Sequence, residues 1–327
     1  MKITVPAYYR SFACIGGRCR HSCCKGWEIG IDDESCRKYL AWPGETGELL
    51  RRNIDPCGDD GARFRLLPGD RCPFLRNDGL CELICREGEE ILCDICRDHP
   101  RFCSRFSDHT EMGLGLCCEE AARLVLTYGP KTEWVPLDED DGEKETALTE
   151  DERLLLDVRE ELTRLSQDRS RPFAERLEAM TEATGLSDRA DLAAFSSFLL
   201  TLERMDTVWD ETLGRLIASP APTEAELSSL PDLYSEQLAV YLFSRHLPGA
   251  LEDGDLSGRV LFCLRSVRLL RALWALEARR SGTLTPEAAA ELCRLFSSEI
   301  EYSDENPGLI LDELARERAD GNGGSRF

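Results

Sequence analysis

Four of the sixteen cysteines lie within eleven positions of one segment, FACIGGRCRHSCCKGW at residues 12–27. They are Cys14, Cys19, Cys23 and Cys24, and the last two are adjacent. Thiols at this density can form disulfides, bind a metal ion or cluster, or take part in redox chemistry. The first question is therefore which of these chemistries the chain supports.

Disulfides fit this segment poorly. Adjacent cysteines such as Cys23 and Cys24 cannot bridge each other without strain, because a disulfide needs separated, facing Cβ atoms. No apolar core of signal-peptide length precedes Cys14, and no stretch approaches about 18 apolar residues. The sequence therefore predicts a cytoplasmic protein that spans no membrane. In that compartment cysteines remain free thiols unless they bind a metal. Metal binding is therefore favoured over disulfides and over a chance surplus of small buried residues.

The spacing of the thiols favours an iron–sulfur cluster over zinc. Fourteen cysteines lie between Cys14 and Cys118, and the other two, Cys263 and Cys293, lie far downstream. Structural zinc sites commonly use two C-x2-C pairs, whereas this region has one, Cys93–Cys96. An irregular all-thiolate set suits a [4Fe–4S] cluster held from separate loops. Zinc remains an alternative, since soft sulfur ligands accept both.

The charge balance restricts the class of partner. The chain carries 40 basic and 62 acidic residues, a formal net charge of -22. Such a chain repels phosphate backbones and anionic lipid heads, which argues against nucleic acid and membrane surfaces as partners. A lysine-bearing protein is a more natural partner, although simple solubility also explains an acidic surface.

The elements around these residues predict a mainly α protein of two parts. Residues 1–136 are expected to form an irregular, cysteine-rich, metal-binding domain in which ligation replaces a hydrophobic core. Residues 137–150 form an acidic linker. Residues 151–327 are expected to form a bundle of five to seven helices, because stripes such as Leu155 and Leu162 recur at helical spacing.

Several segments in order carry a family resemblance. FACIGGRCRHSCCKGWEI, CPFLRNDGLCEL, GEEILCDICRDHPRF and GLGLCCEEAARL together resemble the flagellin lysine-N-methylase (FliB) family, which is similar to cysteine-cluster proteins described as zinc- or iron-chelating. The resemblance is strongest over residues 1–128. It implies a methyltransferase that uses S-adenosylmethionine to methylate lysine side chains of flagellin, with an iron–sulfur cluster bound.

The resemblance also implies a pool of metal ligands. By motif these are Cys14, Cys19, Cys23, Cys24, Cys72, Cys81, Cys93, Cys96 and Cys118. Nine thiols exceed the four that one cubane needs, so either two metal sites exist or some thiols serve the fold. The chain departs from the family pattern at Cys117 and at Glu119, where proline is common; neither is in this pool.

Two polar groups in the helical half are candidates to line a cofactor or lysine pocket. Tyr241 and His246 lie in VYLFSRHLPG, and Glu301, Ser303 and Asn306 lie in EIEYSDENPG. Helix capping and surface ion pairs are the alternative explanation for both groups.

Familiar signatures for the methyl donor are absent from the sequence. No G-x-G-x-x-G follows a predicted strand, and the C-x3-C-x2-C spacing of radical S-adenosylmethionine enzymes does not occur. Two non-enzymatic alternatives therefore stay open: a cysteine-cluster protein that binds iron or zinc and carries a helical interaction domain, and a structural zinc domain joined to a helical domain.

Overall fold

The computed structural model describes residues 2–58, 61–140, 146–186 and 191–320. The chain is mainly helical. Its described residues divide into two compact units. We call residues 13–101 with 118–120 the cysteine-rich unit, and residues 2–12, 102–117 and 121–320 the helical unit. No described helix is long and apolar enough to cross a membrane.

The strands in chain order are β1 (Lys2–Pro6), β2 (Gly30–Ile31), β3 (Ile54–Gly58), β4 (Gly61–Phe64), β5 (Arg101–Arg105), β6 (His109–Leu114) and β7 (Trp134–Asp140). The α-helices are α1 (Asp33–Ala41), α2 (Gly44–Asn53), α3 (Glu82–Glu87), α4 (Asp94–Asp98), α5 (Glu119–Leu126), α6 (Glu150–Ser166), α7 (Phe173–Thr184), α8 (Leu192–Leu199), α9 (Thr207–Ala218), α10 (Glu224–Ser228), α11 (Asp232–His246), α12 (Ala250–Asp253), α13 (Leu256–Ser281), α14 (Pro286–Phe296) and α15 (Asn306–Asp320).

The cysteine-rich unit has a hydrophobic core of its own. Its antiparallel sheet has the order β2-β4-β3, and α1 begins where the Asp32 side chain accepts a hydrogen bond from the Ser35 amide. Tyr39 is fully buried in this core, and its hydroxyl donates to the Ile91 carbonyl at 2.6 Å. The expectation that ligation replaces a core is therefore corrected: apolar packing and the thiols occupy the same unit.

The helical unit contains a sheet that the sequence did not predict. Its strand order is β5-β6-β1-β7, with β1 parallel to β6 and antiparallel to β7. This pairing takes residues 2–12 and 102–117 into the helical unit, so the division of the chain differs from the boundary expected at residue 136. The expected linker at 137–150 includes the end of β7 and the first residue of α6, and residues 141–145 of it lie outside the described residues.

The helices surround two central members, α11 and α13, which are buried along most of their length. The described part of 151–320 has more helices than the five to seven expected, because short ones such as α10 and α12 intervene. α8 ends at Leu199, and α9 begins where the Asp206 side chain caps it.

A buried ion pair joins the sheet to the helices. Glu111 of β6 accepts two hydrogen bonds from the Arg159 guanidinium of α6, at 2.6 and 2.5 Å. Both side chains are almost fully buried, and the guanidinium also lies over the Phe106 and Trp134 rings. Burial acts to raise the pKa of Glu111, but His109 and Arg159 outweigh it and hold the pKa below its ordinary value.

Replacing one partner of this pair should destabilise the helical unit. In Arg159→Met, Glu111 keeps its burial but loses the guanidinium, and we expect the free energy of unfolding to fall by about 3 kcal/mol. Urea denaturation followed by far-UV circular dichroism measures the change. The double variant Glu111→Gln/Arg159→Met removes the stranded charge and should recover part of the loss. Equal destabilisation by the single and double variants would contradict this account.

Candidate functional site

All nine thiols of the predicted ligand pool lie in the cysteine-rich unit. Cys72 and Cys93 are buried, Cys14 and Cys23 are exposed, and the remaining members are partly exposed. The structure brings them together in two groups that meet at the adjacent pair Cys23–Cys24.

The first group converges on Cys24. Its sulfur accepts hydrogen bonds from the Cys23 and Cys72 thiols. Its negative charge adds to the burial that raises the pKa of Cys81 and to the Cys93 contact that raises the pKa of Cys96. The hydrogen bonds from Cys23 and Cys72 lower the pKa of Cys24 to about 3, and the same contacts raise the pKa of both donors. Sulfurs from three separate chain segments therefore lie around one thiol.

The C-x2-C pair attaches to this group through α4. Cys93 is the residue that precedes the helix, and it accepts hydrogen bonds from the Cys96 side chain and from Tyr39. These contacts lower the pKa of Cys93 despite its burial, which acts to raise it. Cys96 lies on the first turn, and its hydrogen bond to Cys93, its burial and the nearby sulfurs of Cys24 and Cys72 raise its pKa.

The second group contains Cys14, Cys19 and Cys118. Cys14 and Cys118 are near enough to Cys23 to act on it electrostatically, and Cys118 acts in the same way on Cys19. The Cys19 thiol donates to the His21 carbonyl at 3.2 Å, and burial raises its pKa to about 11.

The donor chemistry of both groups fits a thiolate-bound metal centre. Soft sulfurs accept iron–sulfur clusters or zinc, and the separate loops suit a cluster with several attachment points. The coordination geometry itself is not assembled, since no group of three or more histidine, cysteine or acidic side chains in the described residues is arranged to hold a metal ion.

Two glycines pack the segments that carry these thiols. A Cβ on Gly17 would lie 2.3 Å from the Asp78 carbonyl oxygen, and a Cβ on Gly79 would lie 2.9 Å from the Gly17 Cα. Gly79 also has φ of +80°, a conformation that favours glycine. The opening segment and the Asn77–Gly79 turn therefore meet backbone to backbone, which side chains would prevent.

In the helical unit, three of the five predicted pocket residues converge. Glu301 accepts hydrogen bonds from the Tyr241 hydroxyl at 2.7 Å and from His246 Nε2 at 2.6 Å, and the Ser297 hydroxyl also donates to it. All three predicted residues are buried. Glu301 ends a π-helical turn, Ser297–Glu301, a feature that often marks functional sites.

The charges in this cluster are balanced by neighbours. Burial acts to raise the pKa of Glu301, but the hydrogen bond from His246 and the charge of Arg245 outweigh it and lower the pKa. Burial lowers the pKa of His246, so the ring is neutral and donates from Nε2. Arg245 lies over the Phe102 and Tyr302 rings and supplies the compensating positive charge.

Ser303 and Asn306 do not join this cluster. Ser303 donates to the Glu203 carboxylate at 3.0 Å, and the Asn306 side chain donates to the backbone carbonyls of Glu203 and Glu299. Of the five predicted residues, Asn306 has a buried oxygen without a hydrogen-bond partner. The role of the five in binding a cofactor stays a prediction. Sequence reasoning missed Ser297, whose only signal was its place one turn before Glu301.

The chain is similar in sequence to several known proteins. The chain is 31% identical over 132 residues to a lysine-N-methylase of Salmonella typhimurium and 30% identical to that of Salmonella choleraesuis. Each match covers 38% of this chain and 32% of the relative, so the chain spans about a third of their length. It is also 30% identical to the flagellar biosynthetic protein FliU of Salmonella muenchen, with 76% of that protein covered.

The chain belongs to the lysine-N-methylase (FliB) family. No family model matches it, and no solved structure matches it. The resemblance stated from the cysteine segments is therefore confirmed by relatives rather than by a family model or a known fold.

The structure accounts for the positions at which this chain departs from the FliB pattern. Glu119 accepts hydrogen bonds from the Arg20 backbone and guanidinium at 2.9 and 2.8 Å, and from the Cys19 thiol at 3.7 Å. Cys117 belongs to the helical unit, where its thiol is hydrogen-bonded to Tyr302. Glu119 thus contacts Cys19 of the second thiol group, but it is not one of the predicted metal ligands.

The close approach of Gly17 to Asp78 gives a first prediction for this site. In Gly17→Ala the new Cβ must move the backbone of the turn, and we expect the cysteine-rich unit to lose about 2 kcal/mol of stability. Urea denaturation measures the change. Gly30→Ala is the control, because a Cβ there meets nothing within 4 Å. Similar losses in both variants would contradict the stated cause.

His246 gives a second prediction, because its pKa is lowered in the folded protein. Below the unfolded value of about 6.5, the unfolded chain takes up the proton more readily, so stability falls as pH falls. The groups that face the ring are Glu301, Arg245 and Arg259. We expect His246→Gln to make the loss of stability between pH 7 and pH 5.5 smaller, measured by urea denaturation at each pH.

His109 provides a control of opposite sign. Its hydrogen bonds with Glu111 and Asp108 raise its pKa, so its contribution is present at low pH and is lost as pH rises. His109→Gln should therefore make the loss of stability on acidification steeper. If His246→Gln leaves the pH dependence of the wild type unchanged, the neutral buried ring is the wrong description.

Proposed function

We propose that this protein transfers methyl groups from S-adenosylmethionine to lysine side chains of flagellin. The observation that carries the proposal is the similarity, at 30–31% identity, to Salmonella proteins named lysine-N-methylase and flagellar biosynthetic protein FliU. Because the two named methylases are matched over about a third of their length, the activity, the donor and the substrate are all part of the proposal.

The charge of the chain supports a cationic substrate and a cationic donor. A lysine ammonium and a sulfonium are both attracted by a protein of net charge -22. Methyl transfer needs the neutral amine, so the site must lower the lysine pKa by desolvation or accept its proton. The amine must then be held in line with the methyl group at close distance.

We also propose that the cysteine-rich unit holds an iron–sulfur cluster of the [4Fe–4S] type. The thiols around Cys24, namely those of Cys72, Cys81 and Cys96, are the donors that would hold it, because they already surround one sulfur. A bound cluster would supply electron transfer or a structural cross-link among three chain segments. The second group, Cys14, Cys19 and Cys118, would then hold a second site or serve the fold.

Methylation is tested on the full chain purified without oxygen. Incubation with S-adenosylmethionine and purified flagellin should add methyl units to flagellin lysines, detected by intact mass and peptide mapping. Cys24→Ser removes the central sulfur, so we expect it to lose visible charge-transfer absorption and bound iron. Cys36→Ser is the matched control, because Cys36 lies on α1 among carboxylates rather than thiols.

The outcomes separate the two parts of this proposal. A metal-replete wild type that leaves flagellin unmodified would contradict the methyltransferase assignment. A colourless, zinc-loaded protein would overturn the cluster assignment and favour the structural zinc alternative. Equal iron loss in Cys24→Ser and Cys36→Ser would show that the contacts around Cys24 do not select the ligands.

A further inference from the structure

A basic pocket lies in the cysteine-rich unit of this acidic chain. Its volume is about 300 Å³, at the lower end of the range for small-molecule sites. Four basic side chains line it: Arg20, Lys25, Arg71 and Arg76. Four cations around one cavity are unexpected by chance, since acidic residues outnumber basic ones by 62 to 40.

Two of these cations lie directly opposite each other. Lys25 and Arg71 form an antiparallel β-bridge, and backbone hydrogen bonds frame it, from Gly26 to Asp70 at 3.0 Å and from Cys72 to the Cys24 carbonyl. Opposed residues in such a bridge direct their side chains to the same face. Like charges at this position are destabilising. The two cations therefore repel each other as long as no ligand is bound between them.

The other two cations already have counter-ions. Arg20 pairs with Glu119 at 2.8 Å, and Arg76 pairs with Asp78 at 2.9 Å. Within the described parts of the chain, neither Lys25 nor Arg71 has an ion pair with a carboxylate. The Arg71 guanidinium is held by the Leu75 carbonyl, which orients it without neutralising it. The pocket therefore keeps two positive charges that no described carboxylate pairs with.

These charges select the chemistry of a ligand. S-adenosylmethionine carries a sulfonium, an ammonium and one carboxylate, so its net charge is positive and the pocket repels it. A phosphate group carries close to two negative charges at neutral pH and several acceptor oxygens. Arginine matches such oxygens with two parallel donors, and lysine adds a point charge.

We propose that this pocket binds a small phosphate-bearing molecule, with Lys25 and Arg71 contacting one phosphate from opposite strands. Binding neutralises the opposed cations and removes their repulsion. The site is separate from the proposed methyl transfer, since its charge excludes the methyl donor. The shared chemistry is the phosphate, whether free, in pyrophosphate or at the end of a nucleotide.

Calorimetric titration of the full chain, purified without oxygen at constant ionic strength, tests the proposal. The probes are inorganic phosphate, pyrophosphate and ADP, with S-adenosylmethionine as a comparison. We expect pyrophosphate or ADP to bind, and Lys25→Gln to raise the dissociation constant at least tenfold. Lys25→Arg keeps the charge and should retain binding. Tighter binding of ADP than of pyrophosphate would indicate a nucleotide as the source of the phosphate.

Arg52→Gln is the matched control. It removes one positive charge from the same unit, at a residue of α2 that is 78% exposed and outside the pocket lining. Circular dichroism establishes that each variant is folded. The proposal is overturned if no phosphate probe binds the folded wild type, or if Arg52→Gln weakens binding as much as Lys25→Gln does. Lys25→Gln and Lys25→Arg losing binding equally would also overturn it, because charge would then not be the cause.

Discussion

The hydrogen-bonded thiol of Cys24 is the contact on which the cysteine-rich unit depends. Cys23 adjoins it in the chain, Cys72 comes from the segment after β4, and Cys96 comes from α4. Segments so far apart in sequence meet at one sulfur because the backbone of Gly17 packs directly on the Asp78–Gly79 turn. A thiol alone stabilises such a junction weakly, whereas a metal would join the same segments covalently.

The cysteine-rich unit has an apolar core, so its stability does not have to come from a metal alone. Tyr39, Phe64 and Phe74 are buried together in the cysteine-rich unit. The Tyr39 hydroxyl donates to the Ile91 carbonyl and also lies near enough to Cys93 to help lower its pKa. The same tyrosine therefore belongs to the core and to the sulfur network. Loss of the proposed cluster should loosen the segment that carries Cys14 and Cys19 before it disturbs the sheet, because neither of these thiols belongs to the core.

Part of this architecture followed from the sequence alone. The mainly α character was predicted from apolar stripes at helical spacing, such as Leu155 and Leu162 of α6, both of which are buried. The mixed sheet was not, because the short strand β1 pairs with β6 and β7, which lie far along the chain. Long-range pairing leaves no local periodic signal in the sequence. Composition therefore could not predict which residues belong to which unit.

The candidate sites show the same limit at the level of side chains. The sequence places Tyr241 and His246 in one polar group and Glu301 in another. Only the fold shows that both Tyr241 and His246 form hydrogen bonds with Glu301. Their polar atoms are satisfied internally, so a ligand would have to displace one of these bonds to contact them. Lys25 and Arg71 present the reverse case, because nothing in their sequence context marks them. Their opposition across a bridge leaves charge without a partner, and an unbalanced pair at a cavity is a stronger indication of a ligand than a balanced buried cluster.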